Sequence, residues 1–239
     1  MTKLSKITET LSIKFYPPVS YKDDNMIFYE WIRSYLKPSF VVLDCGAGTG
    51  LLNPYSFKGY CKKVVGIDLD KRVLKNPLLD EAYVENFIHL HFPEQSFNIV
   101  FANNVVEHIK KPAEFLKEMK RILKPGGLLF IKTPNSWHYV ALAGSFTPKK
   151  FHVFYNRLRG VKEEDVFPTF YKMNQNYKIK KLSKKLNFSY EIKFFEGRPE
   201  YLVLNPIMFF LGIIYERIAN FFPFLKIFRS VILLRITFL

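Results

Sequence analysis

Residues 41–50 read VVLDCGAGTG, an apolar strand followed by a glycine-rich turn. Glycine tolerates positive φ and has no Cβ, so the backbone can closely approach a ligand at the carboxyl end of a strand. A second apolar stretch, VVGID at residues 64–68, ends in a carboxylate about eighteen residues beyond the turn, where a βαβ unit places an acid on ribose hydroxyls. The two segments together predict a nucleotide-like ligand. An NAD fingerprint is excluded, because its third glycine would fall at Leu51.

Strands and helices alternate along the rest of the chain. Helical spacing of apolar residues predicts helices over Asp23–Leu36, Pro112–Leu123 and Asn174–Leu186, and Lys124 to Gly127 is expected to end the second of them. Apolar runs predict strands over Phe40–Leu43, Lys63–Ile67, Ala82–Glu85, Phe97–Ala102, Leu128–Lys132, Tyr190–Phe195 and Val231–Leu239. Apolar strands interleaved with helices indicate a doubly wound α/β fold with a parallel sheet covered on both faces.

Composition sets limits on class and compartment. A chain of 239 residues with 49% hydrophobic residues is expected to form one core. Residues 1–20 lack the features of a secretory signal, which favours a cytoplasmic protein, and Cys45 and Cys61 support neither a disulfide nor a zinc site. The net charge of +15 suits an anionic partner such as nucleic acid, a phospholipid surface or a phosphorylated substrate, or serves solubility alone.

Four segments resemble the class I S-adenosylmethionine (SAM)-dependent methyltransferase family, in the group that includes the ubiquinone-type small-molecule enzymes. They read VLDCGAGTG at residues 42–50, VVGIDLD at 64–70, FPEQSFNIV at 92–100 with EHI at 107–109, and RILKPGG at 121–127. The segments occur in family order. The resemblance implies a Rossmann-like, seven-stranded, mostly parallel sheet with a C-terminal antiparallel strand, and SAM as cofactor.

The resemblance also implies roles for individual residues. Asp44 would help to bind the amino group of SAM, with Asn103 beside the methionine moiety, and Asp68 would take the ribose diol. The backbone of Gly46, Gly48 and Gly50 would face the methionine and ribose parts, Leu69 would cover one adenine face, and Asn86 with Phe87 would contact the adenine amine. Asn86 stands where the family has an acid, and Asn98 replaces the usual Asp of an "FD" pair. An Asn carbonyl still accepts from the adenine amine, without charge assistance.

The pattern divides the chain into four segments. We expect an N-terminal helical cap at 1–37, a SAM-binding core at 38–135, an aromatic-rich insertion at 136–172, and a final segment at 173–239 that completes the sheet. The insertion is interpreted as a lid over the acceptor site. Its aromatic residues Phe151, Phe154, Tyr155, Phe170 and Tyr171 would either line a hydrophobic acceptor pocket or pack the lid itself.

A catalytic base is optional, because the methyl group of a sulfonium is already activated and alignment supplies most of the rate. A histidine near neutral pKa would help a hydroxyl or amine acceptor. His108 follows the fourth strand and is the first candidate, and His152 in the insertion is the second. No metal is predicted, since Glu107 and His108 are adjacent on a helix and no further ligand cluster is evident.

The predicted function is methyl transfer from SAM to oxygen or nitrogen of a small-molecule, glycan or lipid-linked acceptor. One alternative is an RNA or other nucleic-acid methyltransferase, which the charge favours. No Asn/Asp-Pro-Pro-Tyr type motif follows the fourth strand, where Ala102 to Val105 stand, so nucleic acid is not the preferred partner. A second alternative is a SAM-binding scaffold without catalysis.

The final segment contains an apolar helical stretch at 202–228 in which Glu216 is the only acidic residue. Its apolar runs fall short of the roughly twenty residues that a spanning helix needs. Aromatic residues at 221–224 with Lys226 and Arg229 suit an interfacial helix on an anionic membrane surface through 201–229, on the inner face of the membrane. The alternatives are packing on the core or pairing in a homodimer. Arg235 is a misfit in the predicted last strand.

Overall fold

The computed structural model describes residues 5–51, 55–146 and 168–239. Its strands are β1 Val41–Cys45, β2 Lys63–Asp68, β3 Glu81–Val84, β4 Phe97–Asn103, β5 Leu123–Pro134, β6 Phe188–Phe195 and β7 Val231–Phe238. Its α-helices are α1 Lys6–Phe15, α2 Asp24–Arg33, α3 Pro112–Ile122, α4 Tyr139–Phe146, α5 Asn176–Leu186 and α6 Pro206–Phe221. Short 3₁₀ turns lie at 71–75, 106–108, 200–202 and 223–228.

The seven strands form one sheet in the order β3-β2-β1-β4-β5-β7-β6. The pairs β3-β2, β2-β1, β1-β4 and β4-β5 are parallel. Strand β7 is antiparallel to β5. Asn135, just after the end of β5, donates its N–H to Ser230 O, just before the start of β7, at 2.8 Å, so the end of one strand lies beside the start of the other. The predicted doubly wound, mostly parallel sheet with a C-terminal antiparallel strand is confirmed. Arg235 is accommodated in β7 by an ion pair with Glu191 of β6 at 3.1 Å.

The segment from Lys124 to Gly127 differs from its prediction. The sequence predicts a helix stop there and a strand from Leu128, but β5 already begins at Leu123, which pairs with Phe97, and the register then shifts so that Leu128 pairs with Ile99. The extra residues form a bulge, in which Gly126 has φ of +75°. The predicted stop to α3 is therefore an irregularity inside the strand.

Aromatic and aliphatic side chains of two helices cover the sheet. Phe28 and Ile32 of α2 are fully buried, and its Trp31 ring lies edge-on to Phe130 of β5 with centroids 5.3 Å apart. Helix α3 buries Phe115, Leu116, Met119 and Ile122, the face that helical spacing predicted. In β2, Gly66 leaves room for neighbouring side chains: a Cβ there would lie 2.2 Å from Leu79 Cδ1 and 3.0 Å from Ala47 Cβ.

The chain divides into two compact units. The sheet unit comprises 25–134, 170–193 and 232–239, and the helical unit comprises the described parts of 1–24, 135–169 and 194–231. Within the helical unit, α1 and α6 pack together around Tyr16, Phe209 and Ile213. In the described ranges, none of the helices combines the length and hydropathy that crossing a bilayer requires. The four-segment division proposed from sequence stays a prediction.

Candidate functional site

A cavity of about 270 Å³ lies at the carboxyl ends of β1 and β4 in the sheet unit. The strand order reverses between these two strands, and doubly wound sheets bind ligands at that point. The cavity walls come from the glycine turn after β1, from Asn25 and Tyr29 of α2, and from Asn103 at the end of β4. Asp44 is the only charged residue among the described residues that line it.

The glycines of the turn adopt backbone conformations that side chains disfavour. Gly46, Gly48 and Gly50 have φ of +80°, +54° and +73°. A Cβ on Gly46 would lie 2.3 Å from Val105 Cγ2, and one on Gly50 would lie 2.3 Å from Asn76 Oδ1. A Cβ on Gly48 would meet nothing within 4 Å. Gly46 and Gly50 thus allow the turn to pack, while Gly48 leaves the cavity open.

Three backbone amides of the turn donate hydrogen bonds to other parts of the protein. Gly46 and Ala47 both donate to Ile67 O, at 2.8 and 3.1 Å, and Gly48 donates to Asp68 Oδ2 at 2.9 Å. At these positions the turn therefore offers close approach rather than hydrogen-bond donors. The other Asp68 oxygen accepts from Asp70 N at 2.9 Å. Asp68 is fixed against the turn, and each oxygen keeps a lone pair for a ligand hydroxyl.

Asn76 supports the turn and was missed in the sequence. Its Nδ2 donates to Ala47 O at 2.9 Å and Gly48 O at 3.2 Å, and its Oδ1 accepts from Leu78 N at 2.9 Å. The dipeptide Asn76-Pro77 indicates a turn. Nothing in that pattern shows that the Asn76 side chain would reach back to a different loop.

Asp44 presents a carboxylate without a donor. The described residues give its oxygens no hydrogen bond, and the pKa of Asp44 is raised to about 8, chiefly because burial disfavours the charged form and also because Asp68 is nearby. A ligand cation beside Asp44 would stabilise the charged carboxylate and so offset both effects on its pKa. The ammonium of an amino-acid moiety is the kind of group that this position favours.

Asn103 supplies a second acceptor through a polar network that includes two residues missed in the sequence. Lys132 Nζ donates to Asn25 Oδ1 at 2.6 Å, which makes that oxygen an acceptor, and Asn103 Nδ2 donates to it at 3.0 Å. The Asn103 amide is thereby oriented. Its Oδ1 is buried and has no hydrogen-bond donor among the described residues. A ligand N–H would satisfy this oxygen, and buried acceptors without partners are costly.

Three other residues proposed for the adenine do not line this cavity. Leu69 follows β2 and is 57% exposed, and Phe87 is buried. Asn86 Oδ1 accepts from Ile88 N and His89 N at 3.0 and 3.1 Å, so it shapes its own loop. The structure thus brings Asp44, Gly46, Gly48, Gly50 and Asn103 together with Asp68 behind them, and leaves Leu69, Asn86 and Phe87 outside the cavity wall.

His108 ends the 3₁₀ turn after β4, is half-buried and does not line the cavity. Beside it, burial raises the pKa of Glu107, whose Oε2 accepts from Thr133 Oγ1 at 2.9 Å. The backbone oxygen of Glu107 accepts from Phe170 N at 2.6 Å, which ties the end of the predicted insertion to this turn.

The remaining residues proposed for the insertion, His152, Phe151, Phe154 and Tyr155, lie outside the described residues. Among those described, no three His, Cys, Asp or Glu residues lie close enough to hold a metal ion.

Comparison with known proteins matches residues 43–131 to the methyltransferase domain family. The ubiquinone biosynthesis O-methyltransferase of Dictyostelium discoideum is 32% identical over 113 residues, which cover 39% of this chain and 35% of that protein. The 2-methyl-6-phytyl-1,4-hydroquinone methyltransferase of a Synechocystis strain is 31% identical over 107 residues, covering 42% of this chain and 34% of that protein. The matches therefore span about a third of the length of these curated relatives.

The fold has relatives among solved structures. A SAM-dependent methyltransferase from Archaeoglobus fulgidus superposes with a TM-score of 0.53 over 96% of this chain and 99% of that chain, at 17% identity. The matched domain holds the glycine turn and both carboxylates described above. Residues 43–131 therefore form a methyltransferase domain of the class I SAM-dependent kind, for which SAM is the cofactor.

Proposed function

We propose that this protein transfers the methyl group of SAM to oxygen or nitrogen of a small hydrophobic acceptor, which includes lipid-linked compounds. The observation that carries the proposal is the pairing of Asp44, a carboxylate without a donor, with the open cavity at Gly48. The quinone and hydroquinone named for the two relatives support an apolar acceptor over a glycan.

The residues present fit SAM. Asp44 and the free Oδ1 of Asn103 would accept hydrogen bonds from its ammonium, and Asp68 would accept from its ribose hydroxyls. Leu69 would pack on the adenine, which accounts for a leucine left exposed in the free protein. The bound cofactor would supply an activated methyl group. The chain's own task is then to hold the acceptor in line and to exclude water.

His108 is our proposed base on the acceptor side. It follows β4 by a short turn whose position is fixed by the Glu107 contacts with Thr133 and Phe170. A base acts on the acceptor rather than on SAM, so His108→Ala is expected to lower kcat while leaving SAM affinity unchanged. His152 is the second candidate, and the double variant is compared with each single variant.

Cofactor binding is tested first. Calorimetry should show that the wild type binds both SAM and S-adenosylhomocysteine, and that Asp68→Ala weakens both by roughly tenfold to a hundredfold through the loss of charge-assisted hydrogen bonds. Glu114→Ala, an exposed acid of α3, is the matched control and should leave both affinities unchanged. Equal affinities for wild type and Asp68→Ala would remove the cofactor assignment.

The acceptor is tested second. Methyl-labelled SAM is incubated with the protein and a fractionated cell extract, and the label is followed into lipid, small-molecule, glycan, protein and nucleic-acid fractions. We expect it in the lipid or small-molecule fraction. Binding of SAM without any labelled product would favour the scaffold alternative.

A nucleic-acid substrate is the second candidate, favoured by the net charge of +15. Counterion release makes such binding fall steeply with salt. Label in RNA or DNA, with affinity that drops steeply as sodium chloride rises, would establish that candidate and overturn the apolar acceptor.

A further inference from the structure

Helix α6 carries a continuous stripe of exposed apolar side chains. The stripe follows the spacing i, i+4, i+7, i+11 and i+14, and its members are Ile207, Leu211, Ile214, Ile218 and Phe221. Phe222 extends it, as do Phe224 and Ile227 of the following 3₁₀ turn. Phe221 is 77% exposed and Phe224 70%. Contiguous apolar patches of this kind mark interaction surfaces, whereas single exposed apolar residues do not.

Helix α6 exposes an apolar stripe, which a surface helix in water would normally bury. Its buried face includes Glu216, whose Oε1 accepts from Asn220 Nδ2 at 2.6 Å and whose Oε2 accepts from Tyr16 OH at 3.4 Å. Phe209 and Ile213 on the same face pack against α1. Helix α6 therefore packs through the face that holds Glu216, and the described residues of the unit leave the apolar stripe exposed.

The charged residues near the stripe indicate the chemistry of its partner. Within residues 202–229, all of which are described, Glu216 is the only acid and it is buried. Lys226 is exposed beside the stripe. Arg217 is also exposed, but it forms an ion pair with Glu216 Oε2 at 3.3 Å and donates to Phe15 O at 3.2 Å. Arg229 donates to the carbonyl oxygens of Phe194, Ala219 and Asn220. The exposed charge of the segment is thus entirely cationic.

The dimensions of the helix fit the same partner. Sixteen residues make a helix about 24 Å long, too short to cross the roughly 30 Å hydrocarbon core but sufficient to lie along its boundary. An interfacial helix buries an apolar face rich in Phe, Ile and Leu while its cations meet anionic headgroups. An apolar stripe with flanking cations and no exposed carboxylate matches that description.

We propose that the exposed stripe of α6, with the turn at 223–228, docks this protein on the anionic surface of a lipid bilayer. Docking goes beyond methyl transfer and does not depend on it. The stripe lies in the helical unit, so a protein that failed to bind SAM would still bind membranes.

The test is co-sedimentation of the full chain with two kinds of vesicle, pure phosphatidylcholine and an equimolar mixture of phosphatidylcholine and phosphatidylglycerol. The wild type is expected to sediment with the mixed vesicles and to be released by high salt in part. Phe221→Ser with Phe224→Ser should weaken binding by about tenfold or more for each phenylalanine. Lys226→Gln should weaken it about fivefold on mixed vesicles only.

Matched measurements separate docking from folding and from self-association. Tyr177→Ser changes an exposed aromatic residue on α5, 59% exposed, and should leave vesicle binding unchanged. Thermal unfolding and SAM affinity should be the same for the wild type and the Phe221 and Phe224 variant. If that variant unfolds, the proposal is tested by the Lys226→Gln variant and by the salt dependence of wild-type vesicle binding.

Two results would overturn the proposal. One is a wild type that stays in the supernatant with mixed vesicles at low salt. The other is a lipid-free dimer, seen by light scattering, that the Phe221 and Phe224 variant converts to a monomer without any change in vesicle binding.

Discussion

The cavity of the sheet unit and the outer face of α6 leave opposite kinds of group without partners. At the cavity, Asp44 and Asn103 hold polar oxygens that the described protein does not satisfy. On α6, the polar Glu216 is satisfied inside and apolar side chains face outward. An unsatisfied acceptor and an uncovered apolar side chain both carry a free-energy cost in water, and each is relieved by a partner of its own chemistry.

Groups left without partners in these two regions describe a binding partner better than the composition of the chain does. The whole chain is basic and aromatic, which suits nucleic acid, lipid and simple solubility equally. The two regions favour different partners. The cavity favours a cation with hydrogen-bond donors, and the outer face of α6 favours an apolar surface with negative charge. Four substitutions, each with a control or a pH profile, test this contrast.

The largest effect is expected at Gly46. Gly46→Ala combines a left-handed φ of +80° with a 2.3 Å approach to Val105, so it should abolish SAM binding and lower the free energy of unfolding by about 2–5 kcal/mol. Gly59→Ala is the matched control, since φ there is +82° and nothing lies within 4 Å. It should cost only about 1–2 kcal/mol and keep SAM affinity. Urea unfolding and calorimetry measure both, and equal losses would show that the packing at Gly46 is irrelevant.

The next effect concerns Asp44. Asp44→Asn removes the charge, so SAM affinity above pH 8 should fall by roughly tenfold to a hundredfold. Because the pKa of Asp44 is about 8 in the free protein, the wild-type affinity should rise as pH increases toward that value, by up to about tenfold per unit. The variant should show no such rise. Calorimetry across pH decides, and parallel profiles would mean that Asp44 does not meet the ammonium.

The same group gives a stability check in the free protein. The folded state holds the Asp44 proton up to about pH 8, whereas the unfolded chain loses it near its ordinary value of 3.8. The free energy of unfolding should therefore fall as pH rises between these values, and Asp44→Asn should reduce that fall.

A smaller effect is expected on α6, which buries the polar Glu216 and exposes an apolar stripe. Glu216→Ala leaves Tyr16 OH and an Asn220 N–H without their acceptor and should lower the free energy of unfolding by about 1–3 kcal/mol. Ile218→Ser on the exposed stripe should change it by less than about 0.5 kcal/mol. Urea denaturation measures both. A larger loss for Ile218→Ser would show that the stripe is covered within the protein.

The smallest effect is expected at Leu69. Leu69→Ala should weaken SAM binding by about fivefold, because part of an exposed side chain would be buried by the adenine. Leu74→Ala, at 59% exposure against 57% for Leu69, is the control and should change nothing. Indistinguishable affinities for these two variants would remove Leu69 from the cofactor site.

Much of the fold could be predicted because its signals are local. The glycine turn after β1 is a contiguous motif, and Asp68 lies at the end of an apolar strand. The bulge at Gly126 was missed because Lys-Pro-Gly-Gly reads as a helix stop, and only pairing with β4 keeps the segment in the sheet. A local pattern favours one conformation, and tertiary contacts decide between the conformations it allows.

The candidate site was predictable only in part for the same reason. Asn25 lies in a predicted helix and Asn76 in a predicted turn, but neither pattern shows that the side chain reaches the cavity, because a contact with another loop leaves no periodicity in the sequence. Lys132 was included in an apolar strand, and its role follows from the position of Asn25. The apolar character of 202–228 was visible, but the inward direction of Glu216 required the packing of α6.

The bare backbone at Gly66 has an evolutionary consequence. A Cβ there would occupy the space of Leu79 Cδ1, 2.2 Å away, and would press on Ala47 within the glycine turn. Positions 66 and 79 should therefore covary among relatives. A lineage that acquires alanine at 66 must first shorten the side chain at 79, because the reverse order passes through an intermediate whose glycine turn is displaced.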